Sequence, residues 1–179
     1  MTTRDKTKRI KVGGVAIGGG APVSVQSMCC TKTQDVEATL RQISSLAAAG
    51  CEIVRLAVPD MDAARAISAI KERSPLPIVA DIHFDYKLAV EAARRGADKI
   101  RINPGNIGGP EKVAAVAREC SLHNIPIRIG VNGGSLEKPL LEKYGHPTAE
   151  AMLESEKGHI KLLNDCGFDD IALSMKASS

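Results

Sequence analysis

From Pro22 onward, short apolar runs alternate with longer amphipathic stretches. The runs PVSVQSM (22–28), IVRLAV (53–58), IVADI (78–82), KIRINP (99–104), IRIGVN (127–132) and DIALSMK (170–176) are rich in β-branched residues. Their length and composition predict six strands. The stretches between them, near 35–49, 60–73, 86–95, 110–121 and 148–166, have helical periodicity. The segment GGSLEKPLLEKYGHP (133–147) reads as a longer loop. Ahead of the first strand, a basic leader (Met1 to Arg9) precedes KVGGVAIGGGAP, whose glycines punctuate two apolar pieces and predict a hairpin. Strands alternating with helices imply a parallel sheet with right-handed crossovers.

An internal repeat supports these units. AAAGCEIVRLA (47–57) and ARRGADKIRIN (93–103) each end a helix, turn at a glycine and start a strand with arginine at the same offset. A weaker copy, GFDDIALS (167–174), lacks the arginine.

Side chains of a strand alternate between its two faces. One parity set is wholly apolar: Val23 and Val25, then Val54, Leu56 and Val58, and so on through Ile171, Leu173 and Met175. The other holds Ser24, Gln26 and Met28; Arg55; Asp81 and His83; Arg101 and Asn103; Arg128 and Asn132; Ser174 and Lys176. A doubly wound sheet is covered by helices on both faces, so both sets would be apolar. One apolar and one polar set fits a closed sheet of the α/β, (β/α)8 TIM-barrel type, with helices outside and chemistry at the C-terminal strand ends. About six of its eight strands are legible. Residues 1–179 therefore read as a partial TIM-barrel substrate-binding domain with an N-terminal β-hairpin, and two further βα units are expected beyond Ser179.

The inward charges do not balance. Arg55, Arg101, Arg128 and Lys176 stand against Asp81 alone. Burying unpaired cations costs several kcal/mol each. A phosphorylated or diphosphorylated small molecule would supply the missing negative charge, with arginine forks on its oxygens and Asn103 and Asn132 assisting. Asp81 and His83, two apart on one face at a strand end, form a candidate acid–base pair. They are too few to make a metal site. The glycines of NIGGP (106–110) and GGS (133–135) offer backbone N–H groups near the same rim, whereas GGG (18–20) lies at the opposite end and suits a hairpin plugging the barrel floor.

Composition narrows the classes. The 179 residues carry a net charge of +3, and only 2% are aromatic. Such a chain lacks the basic stripe and stacking surface of a nucleic-acid binder. No apolar run reaches membrane-spanning length. Five cysteines without a CxxC read as reduced thiols of a cytoplasmic protein. Of these, Cys29 and Cys30 lie at the mouth, where small buried thiols or a substrate contact both remain open. Cys51, Cys120 and Cys166 are expected as core fillers, and His123, His146 and His159 as surface or loop residues.

The motifs PVSVQSM, VRLAVPD, VADIHFDYKLA, IRINPGNIGG, IRIGVNGGSLE and ALSMKAS, in this order, closely resemble the 4-hydroxy-3-methylbut-2-enyl diphosphate synthases of the non-mevalonate isoprenoid pathway. The likeness runs from about Arg9 to Ser178. It implies an oxidoreductase that opens 2-C-methyl-D-erythritol 2,4-cyclodiphosphate by two-electron reduction with loss of water. It also implies a [4Fe-4S] cluster on a separate C-terminal domain absent from this chain, flavodoxin or ferredoxin as electron donor, and a homodimer. By motif, Arg55, Arg101, Arg128 and Lys176 would bind the diphosphate, Asn103 and Asn132 would assist, and Asp81 and His83 would line the reacting end as catalytic residues. No metal ligand is expected in this chain, which by itself would be inactive. The family's common MTNTDT after the first strand reads MCCTKT here, with Lys32 in place of an acid. Two alternatives stay open: a phosphate-binding barrel synthase of the pterin-binding type, and an anion-binding barrel fragment without chemistry.

Overall fold

The structure, a computed structural model, describes residues 3–176. The first two residues of the basic leader and the end of the ALSMKAS stretch lie outside the described residues. Two short strands, β1 (Ile10–Val12) and β2 (Val15–Ile17), pair antiparallel as the expected hairpin. Six parallel strands come next in sequential order: β3 (Gln26–Met28), β4 (Ile53–Ala57), β5 (Ile78–Asp81), β6 (Lys99–Ile102), β7 (Ile127–Asn132) and β8 (Ile171–Lys176). The helices between them are α1 (Val36–Ala48), α2 (Met61–Arg73), α3 (Tyr86–Arg94), α4 (Pro104–Ile107), α5 (Pro110–His123), α6 (Lys138–Tyr144) and α7 (Ala149–Asp165).

Local chemistry sets the helix starts. Asp35, Asp60 and Asp85 each accept a backbone N–H of the first turn of α1, α2 and α3, and Thr148 does so for α7. Each cap satisfies a donor that the helix itself leaves open. The repeat glycines Gly50, Gly96 and Gly167 have φ of +88°, +92° and +73°. Only glycine takes this left-handed turn without a Cβ penalty, so each helix stops at the same place before the next strand.

The sheet is curled. Lys99 Nζ on β6 comes within 3.5 Å of Gln26 Oε1 on β3, although β4 and β5 lie between. Three strand spacings in a flat sheet would span about 14 Å. The concave face is thus a barrel interior, and the convex face meets the helices. Val54, Leu56, Ile78, Ala80, Ile100, Ile102, Ile127 and Ile129 are fully buried beneath them. At the N-terminal end of the strands, Val12 of the hairpin packs on Ile53 and Val79 from the concave face, closing the floor with apolar side chains.

Several expectations are corrected. The first strand begins at Gln26 rather than Pro22, because pairing to β4 starts only where Glu52 and Ile53 donate to the Val25 carbonyl. Val23, Val25, Leu173 and Met175, assigned to the helix-facing set, are exposed. They lie on or beside the two edge strands, where the sheet stops. The segment 133–147 is not a plain loop: it holds a 3-10 turn, Gly133–Ser135, and α6. Cys166 is exposed rather than a core filler, while Cys51 and Cys120 are buried as expected. His159 is buried in α7 rather than on the surface.

Candidate anion-binding site

Register brings the polar set together. Arg101 on β6 pairs across to Asp81 on β5 and to Arg128 on β7. Asn132 pairs with Lys176 at the rim. These side chains point into the concavity because their odd–even neighbours are committed to the helices.

Asp81 is buried at 4% exposure and is shared rather than owned. Its Oδ1 accepts from Arg101 Nη1 at 3.0 Å, and its Oδ2 lies 3.6 Å from Arg55 Nε and 3.5 Å from His83 Nε2. Arg55 spends its Nε and Nη2 protons on the Met28 thioether, at 3.2 and 3.0 Å. Sulfur is a weak acceptor, so that contact orients the guanidinium without neutralising it. Arg128 has no side-chain hydrogen bond or ion pair among the described residues. Burial pushes its pKa down, and the neighbouring Arg55 and Arg101 charges push it further. Lys176 stands exposed at the rim and forms no ion pair among the described residues.

One residue belonging to this set was missed by the sequence reading. Lys99 is 2% exposed and points inward beneath Arg101. Its parity, two before Arg101, was legible, but a lysine at the first position of a strand reads as a snorkelling surface residue. The interior therefore holds Arg55, Lys99, Arg101, Arg128 and Lys176 against Asp81.

Asn103 and Asn132 sit at the ends of β6 and β7 and cap the turns beyond them. Asn103 Oδ1 accepts from Gly105 N at 3.1 Å, and its Nδ2 donates to Ser135 Oγ at 3.2 Å. Asn132 Oδ1 accepts from Gly134 N at 3.2 Å. Asn103 thus ties the two rim loops together, while Asn132 keeps its amide N–H groups available. His83 is half exposed beside Phe84, whose ring meets it edge-on.

A second cluster lies behind the rim. Glu137 Oε1 accepts from Ser155 Oγ at 3.0 Å and lies 2.8 Å from His159 Nε2. Ser155 Oγ is 3.3 Å from that same nitrogen. A serine–histidine–acid relay needs a different ring nitrogen for each partner. This cluster therefore clasps α7 to the loop after β7 and does not activate a nucleophile. It borders a cleft of about 470 Å3 with Pro104, Leu140 and Leu162 on its wall.

The thiols do not fit an iron–sulfur cluster. Among the described residues no three His, Cys, Asp or Glu side chains converge as metal ligands. Burial pushes the Cys29 thiol up to about 11 and the Cys120 thiol to about 12.

Relatives carry the same chain pattern. The sequence is 61% identical over 173 residues to the 4-hydroxy-3-methylbut-2-en-1-yl diphosphate synthase (flavodoxin) of Geobacter sulfurreducens, covering 97% of this chain and 49% of that protein. It is 61% identical over 178 residues to the enzyme of the same name from Bacillus subtilis, covering 99% and 47%. The chain thus spans about half the length of the curated relatives it matches. Among solved structures it is similar in fold to dihydropteroate synthase from Vibrio fischeri ES114, with a TM-score of 0.67 at 16% identity over 93% of this chain and 66% of that one. The Yersinia pestis dihydropteroate synthase gives 0.65 at 14% identity, over 92% and 61%. Curled sheet, inward cations and sequence agree, and the match over residues 7–179 settles the family: the chain belongs to the GcpE TIM-barrel domain family.

Proposed function

We propose that this chain is the substrate-binding barrel portion of a 4-hydroxy-3-methylbut-2-en-1-yl diphosphate synthase, and that its concave face holds the cyclic diphosphate. The observation that carries this reading is the charge imbalance: Asp81 already serves Arg55 and Arg101, while Arg128 has no partner among the described residues. A ligand with one negative charge on each phosphorus supplies what the interior lacks. Arginine forks suit its non-bridging oxygens, and Lys176 and the Asn132 amide approach from the rim.

On this reading the reaction is a two-electron reductive opening of 2-C-methyl-D-erythritol 2,4-cyclodiphosphate with loss of water. The chain's own part is to fix both phosphoryl groups, so that the ring carbon bearing the departing oxygen faces the mouth. Charge held on the phosphoryl oxygens also stabilises the diphosphate as its ring C–O bond breaks. His83, next to Asp81 at the mouth, is placed to give a proton to a leaving oxygen. Flavodoxin, the donor in the relatives' names, or a ferredoxin would be the source of the two electrons, and a [4Fe-4S] cluster would supply the redox chemistry; no residues among those described are placed to hold it. The full protein works as a homodimer in the cytoplasm. No helix among the described residues is long and apolar enough to cross a membrane.

Titration calorimetry with the cyclodiphosphate tests the site. Arg101→Ala and Arg128→Ala each weaken binding by about 1.5–3 kcal/mol, the value of a charged hydrogen bond. Unchanged affinity in both variants removes the pocket from consideration.

A further inference from the structure

Lys99 stands apart from the other interior cations. It is buried, its ammonium has no carboxylate partner among the described residues, and its one polar contact is the 3.5 Å approach to Gln26 Oε1. That distance is beyond the usual range of a strong hydrogen bond. Beside it lies Val79, which with Ile53 packs against Val12 of the hairpin at the N-terminal end of the concave face, so the near surroundings there are apolar. Neutralising charge for Lys99 can come from the polar part of the concavity toward Arg55, Arg101 and Arg128.

We infer that Lys99 is a fifth cationic ligand of the bound anion, at the inner end of the pocket, and that it takes up a proton when the anion binds. The inference rests on the anion-site reading and adds to it a residue and a proton. The groups sharing the interior with it are Arg55 from β4, Asp81 from β5, Arg101 from β6 and Arg128 from β7; β3 offers the neutral Gln26, and β8 the neutral Ala172 and Ser174 with Lys176 further out at the rim. Asp81 is engaged by Arg101 and flanked by Arg55, so the remaining potential around Lys99 is positive. Burial first, then the Arg128 and Arg55 charges, bring its pKa down to about 8. Near pH 8 about half of the molecules then hold a neutral amine. A dianion arriving between Arg55, Arg128 and Lys99 reverses the local potential and draws the proton in. The cyclic diphosphate itself has one strongly acidic oxygen on each phosphorus, already ionised, so it neither releases nor takes up a proton in this range.

The test is calorimetric titration of this protein with 2-C-methyl-D-erythritol 2,4-cyclodiphosphate at pH 8, in buffers of different ionisation enthalpy. The wild type takes up about half a proton per anion bound, and the uptake fades toward pH 6.5 as Lys99 becomes protonated beforehand. Lys99→Met loses the uptake and binds about tenfold or more weakly. Lys99→Arg, permanently charged, keeps most of the affinity and also loses the uptake. Wild-type affinity in Lys99→Met overturns the inference. So does proton uptake that survives either substitution, which assigns the proton to a group other than Lys99. If the methionine variant does not fold, the uptake of the arginine variant decides. Absence of any binding by the wild type is a different result, since it removes the anion site itself.

Discussion

The guanidinium of Arg101 lies against the bare Cα of Gly130: a Cβ there would stand 2.6 Å from both Arg101 Nε and Nη2. The central cation of the pocket keeps its place because the neighbouring strand has no side chain at that point. Gly130 is an inward position on β7, and its φ is not in the left-handed region. The demand for glycine is therefore steric and not conformational.

Gly130→Ala separates placement from stability. The clashing atoms are the far end of a flexible side chain, which can swing away at little cost to folding. The guanidinium shifts from its present position, while Nη1, which bonds Asp81 at 3.0 Å and is not one of the three nearest atoms, can keep that contact. The variant is expected to unfold within about 1 kcal/mol of the wild type while binding the cyclodiphosphate about 1.5–3 kcal/mol more weakly. Urea denaturation and calorimetry read the two effects independently.

Asp81→Asn removes the only carboxylate identified among the inward cations. The guanidiniums it serves keep part of their solvent contact, 28% and 21% exposed, so the loss falls at the low end of that for a buried pair, about 3 kcal/mol. Added inorganic pyrophosphate should restore more of the melting temperature in this variant than in the wild type, because the added anion replaces the lost charge. A variant that melts like the wild type without any anion would show that Asp81 does not hold the cluster together.

Asn103→Ala opens the rim. It deletes the cap on Gly105 N and the donation to Ser135 Oγ, and about 1–2 kcal/mol of stability is expected to go with them. Asn103→Asp keeps the capping oxygen and loses the donor, so it should cost less. Equal losses in chemical denaturation would mean that the bridge between the loops, and not the cap, dominates.

Glu156 gives a prediction about pH. It is 2% exposed on α7, and neither carboxyl oxygen has a hydrogen-bond partner among the described residues. Burial raises its pKa above the ordinary 4.5. The folded chain therefore binds this proton more tightly than the unfolded chain does. The resulting stability is complete below about pH 4.5 and is lost as pH rises through the folded value. Replacing the group with Glu156→Met is expected to stabilise the protein by about 1–3 kcal/mol at pH 8, the cost of an unpartnered buried polar group. The gain should shrink toward pH 4.5. Melting curves of both proteins across that range give the answer, and a gain independent of pH would place the benefit in packing alone.

Much of this architecture was legible from periodicity. Each cap residue, Asp35, Asp60, Asp85 and Thr148, precedes its amphipathic run, and each repeat glycine comes just after one. The alternation of Arg55, Asp81, Arg101 and Arg128 with fully buried aliphatic neighbours marked the concave face. Less was legible where neighbours in space are remote in sequence. His159 sits among polar residues of α7 and gives no sign of burial, because its partner Glu137 lies on a different element. Lys99 looks like a strand-end surface residue until Gln26, 73 positions away, is found opposite it.

The sequence by itself determined that Arg55, Asp81, Arg101 and Arg128 face inward, since strand parity is a local property of the backbone and the aliphatic neighbours of these residues form a face that could only meet helices. It determined the sign of the interior for the same reason. Tertiary structure alone decided how those charges share one another: that Asp81 serves Arg55 and Arg101 together, that Gly130 makes room for a guanidinium, and that Lys99 ends buried opposite Gln26. Those relationships depend on register and on the curl of the sheet. Both are set by the packing of every unit at once, and no single stretch of chain encodes them.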